Sequence, residues 1–145
     1  MNKKRIAGRS KARRFVLQAL YQMQLTDCSS TEVEAQLIAD HNMKRVDTVY
    51  LHELLAGISR DKTRLEEVLT PELDRGFSEL DPVETAALFI GCFELLHRPD
   101  IPYKVAINEA VELTKQFGAA EGYKFINSVL DAVARGCRPD EVRQS

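Results

Sequence analysis

The chain has 145 residues, of which 44% are hydrophobic, and a formal net charge of −2 at pH 7. It is long enough for one domain with a hydrophobic core, while its apolar stretches, such as 86–93, are far shorter than the roughly 20 residues that cross a bilayer. Three cysteines and three histidines are scattered without metal-ligand spacing, so we expect no disulfide, metal or cofactor.

The first half of the chain predicts four helices. Apolar residues recur at helical spacing over 10–25, which predicts a first helix starting near Ser10. Thr31 and Glu34 fit a capping box for a second helix that ends near residue 40. Asp47 is placed to cap a third. A fourth, short helix follows and ends before the proline at position 71, because the residue preceding a proline disfavours the α conformation.

The second half predicts three more helices. Asp81, Pro82 and Glu84 form the strongest start signal, with Asp as the N-cap, Pro at the first helical position and Glu closing a capping box. The helix that follows is apolar on nearly all sides and should be central. Pro102 opens a sixth helix that ends at Gly118. The seventh covers about 120–135, and the polar tail 137–145 is expected to fray.

No segment alternates with period two, so the predicted fold is all-α, with about seven helices in two packed helical bundles. We expect a basic arm at 1–14, an amino-terminal helical subdomain at 15–70 and a carboxy-terminal one at 81–136. The join between the subdomains is predicted within 70–80, which contains a proline and a glycine.

The charge is unevenly distributed. Seven of the first fourteen residues are basic and none is acidic, whereas the other 131 residues hold thirteen Lys or Arg against twenty-two Asp or Glu. Such an arm attracts a polyanion within about a Debye length. Arg9, Lys11, Arg13 and Arg14 would place guanidinium and ammonium groups at the helix start, with Arg9 and Arg13 directed away from Leu20, where a phosphate would be stabilised.

Single-stranded RNA fits this pattern better than duplex DNA, since no helix-turn-helix or zinc-finger spacing is present and the rest of the chain is acidic. A disordered, solubilising arm is the alternative. No phosphate-loop, dinucleotide, zinc-protease or nucleophile-elbow motif occurs, so the residues indicate no catalysis. The arm also lacks a signal-peptide core, and the expected location is the cytoplasm.

Several sequence motifs are more specific than helical periodicity or charge. They are V-L-Q-A-L-Y-Q at 16–22, L-L-A-G at 54–57, P-Y-K-V-A-I-N-E-A-V-E-L at 102–113 and K-F-I-N-S-V-L-D at 124–131. In this order and spacing the chain closely resembles the NusB family of bacterial transcription factors, over about residues 9–135. The resemblance implies an all-α protein, not an enzyme, that binds the boxA sequence of ribosomal RNA leaders together with NusE, a small-subunit ribosomal protein. With other Nus factors it would help RNA polymerase read through terminators.

The resemblance also implies site residues. Arg9, Lys11 and Arg13 correspond to phosphate contacts of the arm, Phe125 to an aromatic residue placed against RNA, and Glu84 to the surface that faces NusE. Core packing competes with base stacking at Phe125, and helix capping competes with partner binding at Glu84.

Two other functions remain open on sequence grounds. One is a module that binds only proteins. The other is a fragment of an RNA methyltransferase with a NusB-like domain, which would need a cofactor-binding α/β domain to follow. We expect neither, because the arm points to RNA and this sequence contains no such domain.

Overall fold

A computed structural model of the chain describes residues 3–145, and over that range the fold is all-α, which confirms the predicted class. The eight helices of the described residues are α1 (Lys3–Leu25), α2 (Ser30–Asp40), α3 (Thr48–Arg60), α4 (Lys62–Leu69), α5 (Pro82–His97), α6 (Tyr103–Phe117), α7 (Gly122–Cys137) and α8 (Pro139–Arg143). Two short 3₁₀ helices, Thr70–Glu72 and Phe77–Glu79, lie between α4 and α5.

The helices form two compact units, the first ending at Arg60 and the second running Asp61–Ser145. In the first, α1 packs on α2 and α3. In the second, α5 packs on α4, α6 and α7. The join expected within 70–80 therefore lies inside the second unit, in which α4 packs on α5.

The first helix starts earlier than predicted. We placed its start near Ser10, but α1 is already helical at Lys3, so most of the basic arm is part of the helix. Residues 1 and 2 of the predicted arm lie outside the described residues. The first turn contains no acidic side chain. Its basic side chains therefore lie at the positive end of the helix dipole, an arrangement that favours a bound anion.

Capping explains where the other helices begin. The box of α5 is confirmed, since Asp81 Oδ1 accepts from Glu84 N at 2.8 Å and Glu84 Oε1 from Asp81 N at 3.2 Å. Asp47 caps α3, as predicted, by accepting from Tyr50 N at 3.0 Å. The box predicted for α2 at Thr31 and Glu34 is wrong.

Ser29 and Glu32 form the α2 box instead. Both pairs have the same spacing, so sequence could not separate them. The earlier start frees the carboxylate of Glu34, which lies 2.9 Å from Nδ1 of His52 on α3.

The apolar helix α5 is the core of the second unit, as predicted. Most of its residues are buried. At Gly91 the neighbours approach so closely that a Cβ atom would lie 2.4 Å from Cδ1 of Leu130 on α7 and 3.3 Å from Cβ of Ala110 on α6. The absence of a side chain at this position lets α6 and α7 pack against the α5 backbone.

The tail is ordered, contrary to the fraying predicted for 137–145. Helix α7 continues through Gly136 to Cys137, and α8 follows. Arg138, whose side chain is only 8% exposed, donates to the carbonyl oxygens of Glu94, Leu95, Arg98 and Ile101 at the end of α5 and in the loop after it. The carbonyl oxygens of Glu94 and Arg98 also accept from the backbone N–H groups of Arg98 and Ile101, so the guanidinium adds a second hydrogen bond to each. One side chain thus closes α5 and fixes the start of α8.

Glu141 completes this arrangement. One of its carboxylate oxygens accepts from Arg138 at 3.1 Å and the other from the backbone N–H of Tyr103, at the start of α6, at 2.7 Å. The hydrogen bond from the Tyr103 backbone, followed by the Arg138 guanidinium, holds the pKa of Glu141 below its usual value. The tail therefore supplies hydrogen-bond partners to the carboxyl end of α5 and to the amino end of α6, which lie on either side of the loop 98–102.

The packing at Gly91 gives a testable difference between two glycines. Gly91→Ala should be less stable than Gly136→Ala by about 1 to 3 kcal/mol, because its new methyl group must displace the buried Leu130 side chain. A Cβ at Gly136 meets nothing within 4 Å, so that variant should gain about 0.5 to 1 kcal/mol from helix propensity alone. Urea unfolding measures both. Equal stabilities would contradict the packing argument.

Candidate nucleic-acid interface

The arginines of the arm do not all face solvent. Arg9 and Arg13 turn towards α3, with their guanidinium carbons 4.7 and 5.5 Å from the ring centroid of the buried Tyr50. Nε of Arg9 also lies 4.0 Å from Oδ2 of Asp47, and the Arg9 side chain is 11% exposed. Cation–π contacts of this kind stabilise a desolvated arginine by about 0.5 to 2 kcal/mol.

Arg13 is a correction to the predicted site. We expected it to face outward and bind phosphate, but it is only 3% exposed. The prediction used the face of α1 alone and could not include Tyr50, which lies 37 positions later in the sequence. Arg13 therefore supports the position of α1, and Arg9 does so largely as well. Lys11 is half-buried and Arg14 is exposed, as a phosphate contact requires.

A basic groove lies beside these residues. Its volume is about 880 Å³, and six cationic side chains and one carboxylate are among its lining residues, namely Lys3, Lys4, Arg5, Lys11, Lys44, Arg45 and Asp47. A smaller cavity of about 440 Å³ is lined by Lys11, Asn42, Lys44 and Arg45. We call the two cavities together the basic groove. One wall is the start of α1, and the other is the loop 41–47 between α2 and α3.

The loop is held against α1 by its backbone. Asp47 N donates to the carbonyl oxygen of Gly8 at 3.2 Å. Within the loop, Lys44 N donates to Oδ1 of Asn42 at 2.9 Å, and Val46 N donates to the carbonyl oxygen of Met43 at 3.0 Å. Hydrogen bonds within the chain therefore fix the backbone that carries the second wall.

Lys44 and Arg45 are the functional candidates that sequence reasoning missed. The pair is visible in the sequence as two adjacent basic residues between predicted helices, but a pair is common on any surface. What distinguishes it is its place opposite Lys11, which results from the packing of α3 on α1.

Phe125, the predicted stacking residue, is half-buried near the start of α7. The guanidinium carbon of Arg75 lies 4.6 Å from its ring centroid. Arg75 is in turn paired with Asp74, whose Oδ1 accepts from Arg75 Nε at 2.8 Å. A nucleobase could stack on that face of Phe125 only after Arg75 moves aside.

Glu84, the predicted partner residue, is half-buried, and its Oε1 takes part in the capping box of α5. Its charge also contributes to raising the pKa of Arg75, although hydrogen bonding to Asp74 is the larger cause. The residue therefore has a local role beside any part in partner binding.

The described residues contain no group of three or more His, Cys, Asp or Glu side chains arranged to hold a metal ion. None of the helices in 3–145 is both long and apolar enough to cross a membrane. Burial raises the pKa of the Cys92 thiol to about 12, and burial also raises that of Cys137. Neither thiol is activated as a nucleophile. The basic groove is therefore the candidate binding site that these observations indicate.

Comparison with known proteins agrees with the fold. The model of the NusB family matches residues 10–135. A transcription antitermination protein NusB from Alcanivorax borkumensis is 48% identical over 138 residues, which cover 95% of this chain and 92% of that protein. One from Legionella pneumophila is 46% identical over 142 residues, 98% and 97% of the two chains. The solved structure of T. maritima NusB superposes with a TM-score of 0.80 at 25% identity, covering 92% and 96%.

Because Arg13 is buried and Arg14 is exposed, their substitution should affect the stability of the protein differently. Arg13→Gln should lower the free energy of unfolding by about 1 to 3 kcal/mol, because it removes a desolvated guanidinium from Tyr50. Arg14→Gln should leave stability unchanged within about 0.5 kcal/mol. Denaturant unfolding of both variants decides the point. If Arg13→Gln is as stable as the wild type, the arginine does not anchor α1.

Proposed function

The chain belongs to the NusB family, and we propose that it acts as a transcription antitermination factor by binding boxA RNA together with NusE. The basic groove is the observation that carries this proposal. Six cations in one groove form a site for successive phosphates, and single-stranded RNA provides these at regular intervals.

The distribution of charge explains why a partner would be needed. Beyond the arm the chain has more acidic than basic residues, so a long RNA gains attraction only near the groove. Phosphate contacts alone also carry little sequence information. A second protein that adds contacts to the bases would raise both affinity and selectivity. We assign this role to NusE.

The basic side chains of α1 fall into two groups. Lys3, Lys4, Arg5, Lys11 and Arg14 are proposed to bind phosphates directly, while Arg9 and Arg13 position α1. Phe125 is proposed as a separate contact at which a base stacks after displacing Arg75. The complex would join RNA polymerase and other Nus factors in reading through terminators of ribosomal RNA operons. Such a role requires binding surfaces and no catalytic group.

Fluorescence anisotropy of a labelled boxA RNA tests the proposal. The chain is titrated alone and with NusE, against boxA and a scrambled RNA, at several salt concentrations. We expect a preference for boxA that strengthens with NusE. If four to six phosphates are neutralised, the slope of log K against log salt should be about −3 to −4.

Equal, weak binding of both RNAs that disappears at moderate salt would overturn the boxA assignment. Binding of NusE without any RNA preference would instead indicate a module that recognises proteins only.

The proposed NusE surface is tested at Glu84 with two variants. Glu84→Gln keeps an oxygen for the capping box and removes the charge, whereas Glu84→Lys removes both. We expect Glu84→Gln to weaken NusE binding several-fold at an unchanged melting temperature. Glu84→Lys should weaken it further and also cost about 0.5 to 2 kcal/mol of stability. Isothermal titration and thermal unfolding provide the two readouts. Normal NusE binding by Glu84→Gln would confine Glu84 to capping.

A further inference from the structure

We propose that the loop between α2 and α3 is the second wall of the RNA site, with Lys44 and Arg45 binding the ribose-phosphate backbone of a single RNA strand opposite Lys11. This inference rests on the proposed RNA-binding function and extends it to residues outside the basic arm. It assigns the strand a path through the basic groove, between the start of α1 and the loop.

The geometry of the groove supports this path. Lys11 lines both cavities, and so do Lys44 and Arg45. The three side chains therefore stand where the two cavities adjoin. A phosphate in the smaller cavity would meet cations from both walls, while the larger cavity continues along Lys3 and Arg5. Opposed cations enclose an anion more effectively than cations on a single helix face.

Three cations where the cavities adjoin also lack a charged partner within 3–145. Among the residues that the structure describes, Lys11, Lys44 and Arg45 have no ion-pair partner. Basic residues in the second unit differ in this respect. Exposed pairs there include Lys62–Glu66, Lys115–Glu112, Lys124–Glu121 and Arg135–Asp131. Like charges held close together repel one another, and a bound phosphate chain relieves that repulsion.

The loop is already fixed in position. Its backbone hydrogen bonds within 42–46 and from Asp47 to Gly8 hold the Cα atoms of Lys44 and Arg45 beside α1. Only the two side chains must be ordered when RNA binds, so little of the binding free energy is lost in folding the loop.

The size of the groove favours a single strand. A volume of about 880 Å³ suits a stretch of one backbone. A duplex keeps its bases paired and stacked, so it could not offer them for contacts beside the groove. Single-strand sites commonly combine such a backbone channel with base contacts elsewhere.

The double variant Lys44→Gln/Arg45→Gln tests the inference in the full-length protein. With boxA RNA and NusE present, it should bind about 25-fold more weakly at 0.1 M salt, and its salt slope should be shallower by about 1.4, the share of two phosphates. Lys62→Gln/Arg64→Gln on α4 is the matched control, because it removes one Lys and one Arg from exposed positions outside the groove lining. The control should keep the wild-type slope. Melting temperatures of both variants should match the wild type.

Conservative exchange provides a second check. Lys44→Arg/Arg45→Lys keeps both charges and should retain the wild-type salt slope. A shallower slope would show that charge at these two positions is not sufficient, and would contradict binding through phosphate charge.

The outcomes separate this inference from the proposed function. If the wild type prefers boxA and Lys44→Gln/Arg45→Gln binds as tightly with the same slope, the loop is not part of the site and the function stands. An equal loss in Lys62→Gln/Arg64→Gln would show a general effect of net charge and overturn the inference. If the wild type has no preference for boxA, both fail. Equally tight binding of a duplex RNA, with the same loss in the loop variant, would overturn the single-strand assignment.

Discussion

The basic surface depends on the packing of α1 against α3 around Tyr50. Two guanidinium groups lie over this buried ring, and Asp47, one turn earlier, approaches Arg9 and donates its backbone N–H to Gly8. Without these contacts, a helix start with only basic residues would be destabilised by its own dipole and by mutual repulsion. The contacts convert a charged chain end into an ordered helix, so the remaining cations occupy fixed positions.

This arrangement divides the basic residues by role. Arg9 and Arg13 lose most of their exposure in contacts that hold α1, whereas Lys11 stays half-exposed and Arg14 and the loop residues stay exposed. A protein with a net charge of −2 can still present a strongly positive site, because screening limits the repulsion from distant carboxylates to about 10 Å in ordinary salt. The same distribution of charge explains why the proposed RNA binding should depend on salt and on a second protein.

The family motifs describe packing more than they describe the site. In the run 102–113 the side chains of Ala106, Ile107 and Ala110 are buried, and the backbone of Tyr103 is bound by Glu141. In the run 124–131, Ile126, Val129 and Leu130 belong to the core, and Leu130 fills the space left by Gly91. Recognition of the family therefore identified the fold well, whereas the loop residues of the groove were found only in the structure.

The sequence by itself determined the helical class, the apolar α5, the caps at Asp47 and Asp81, and the excess of positive charge near the amino end. These features depend on spacings of a few residues, which local patterns record. Only the tertiary structure decided that Arg13 is buried, that Lys44 and Arg45 face Lys11, and that Arg138 orders the tail. Each of these depends on residues at least 30 positions apart. The physical reason is that burial and proximity are set by how helices pack, which a helical period does not specify.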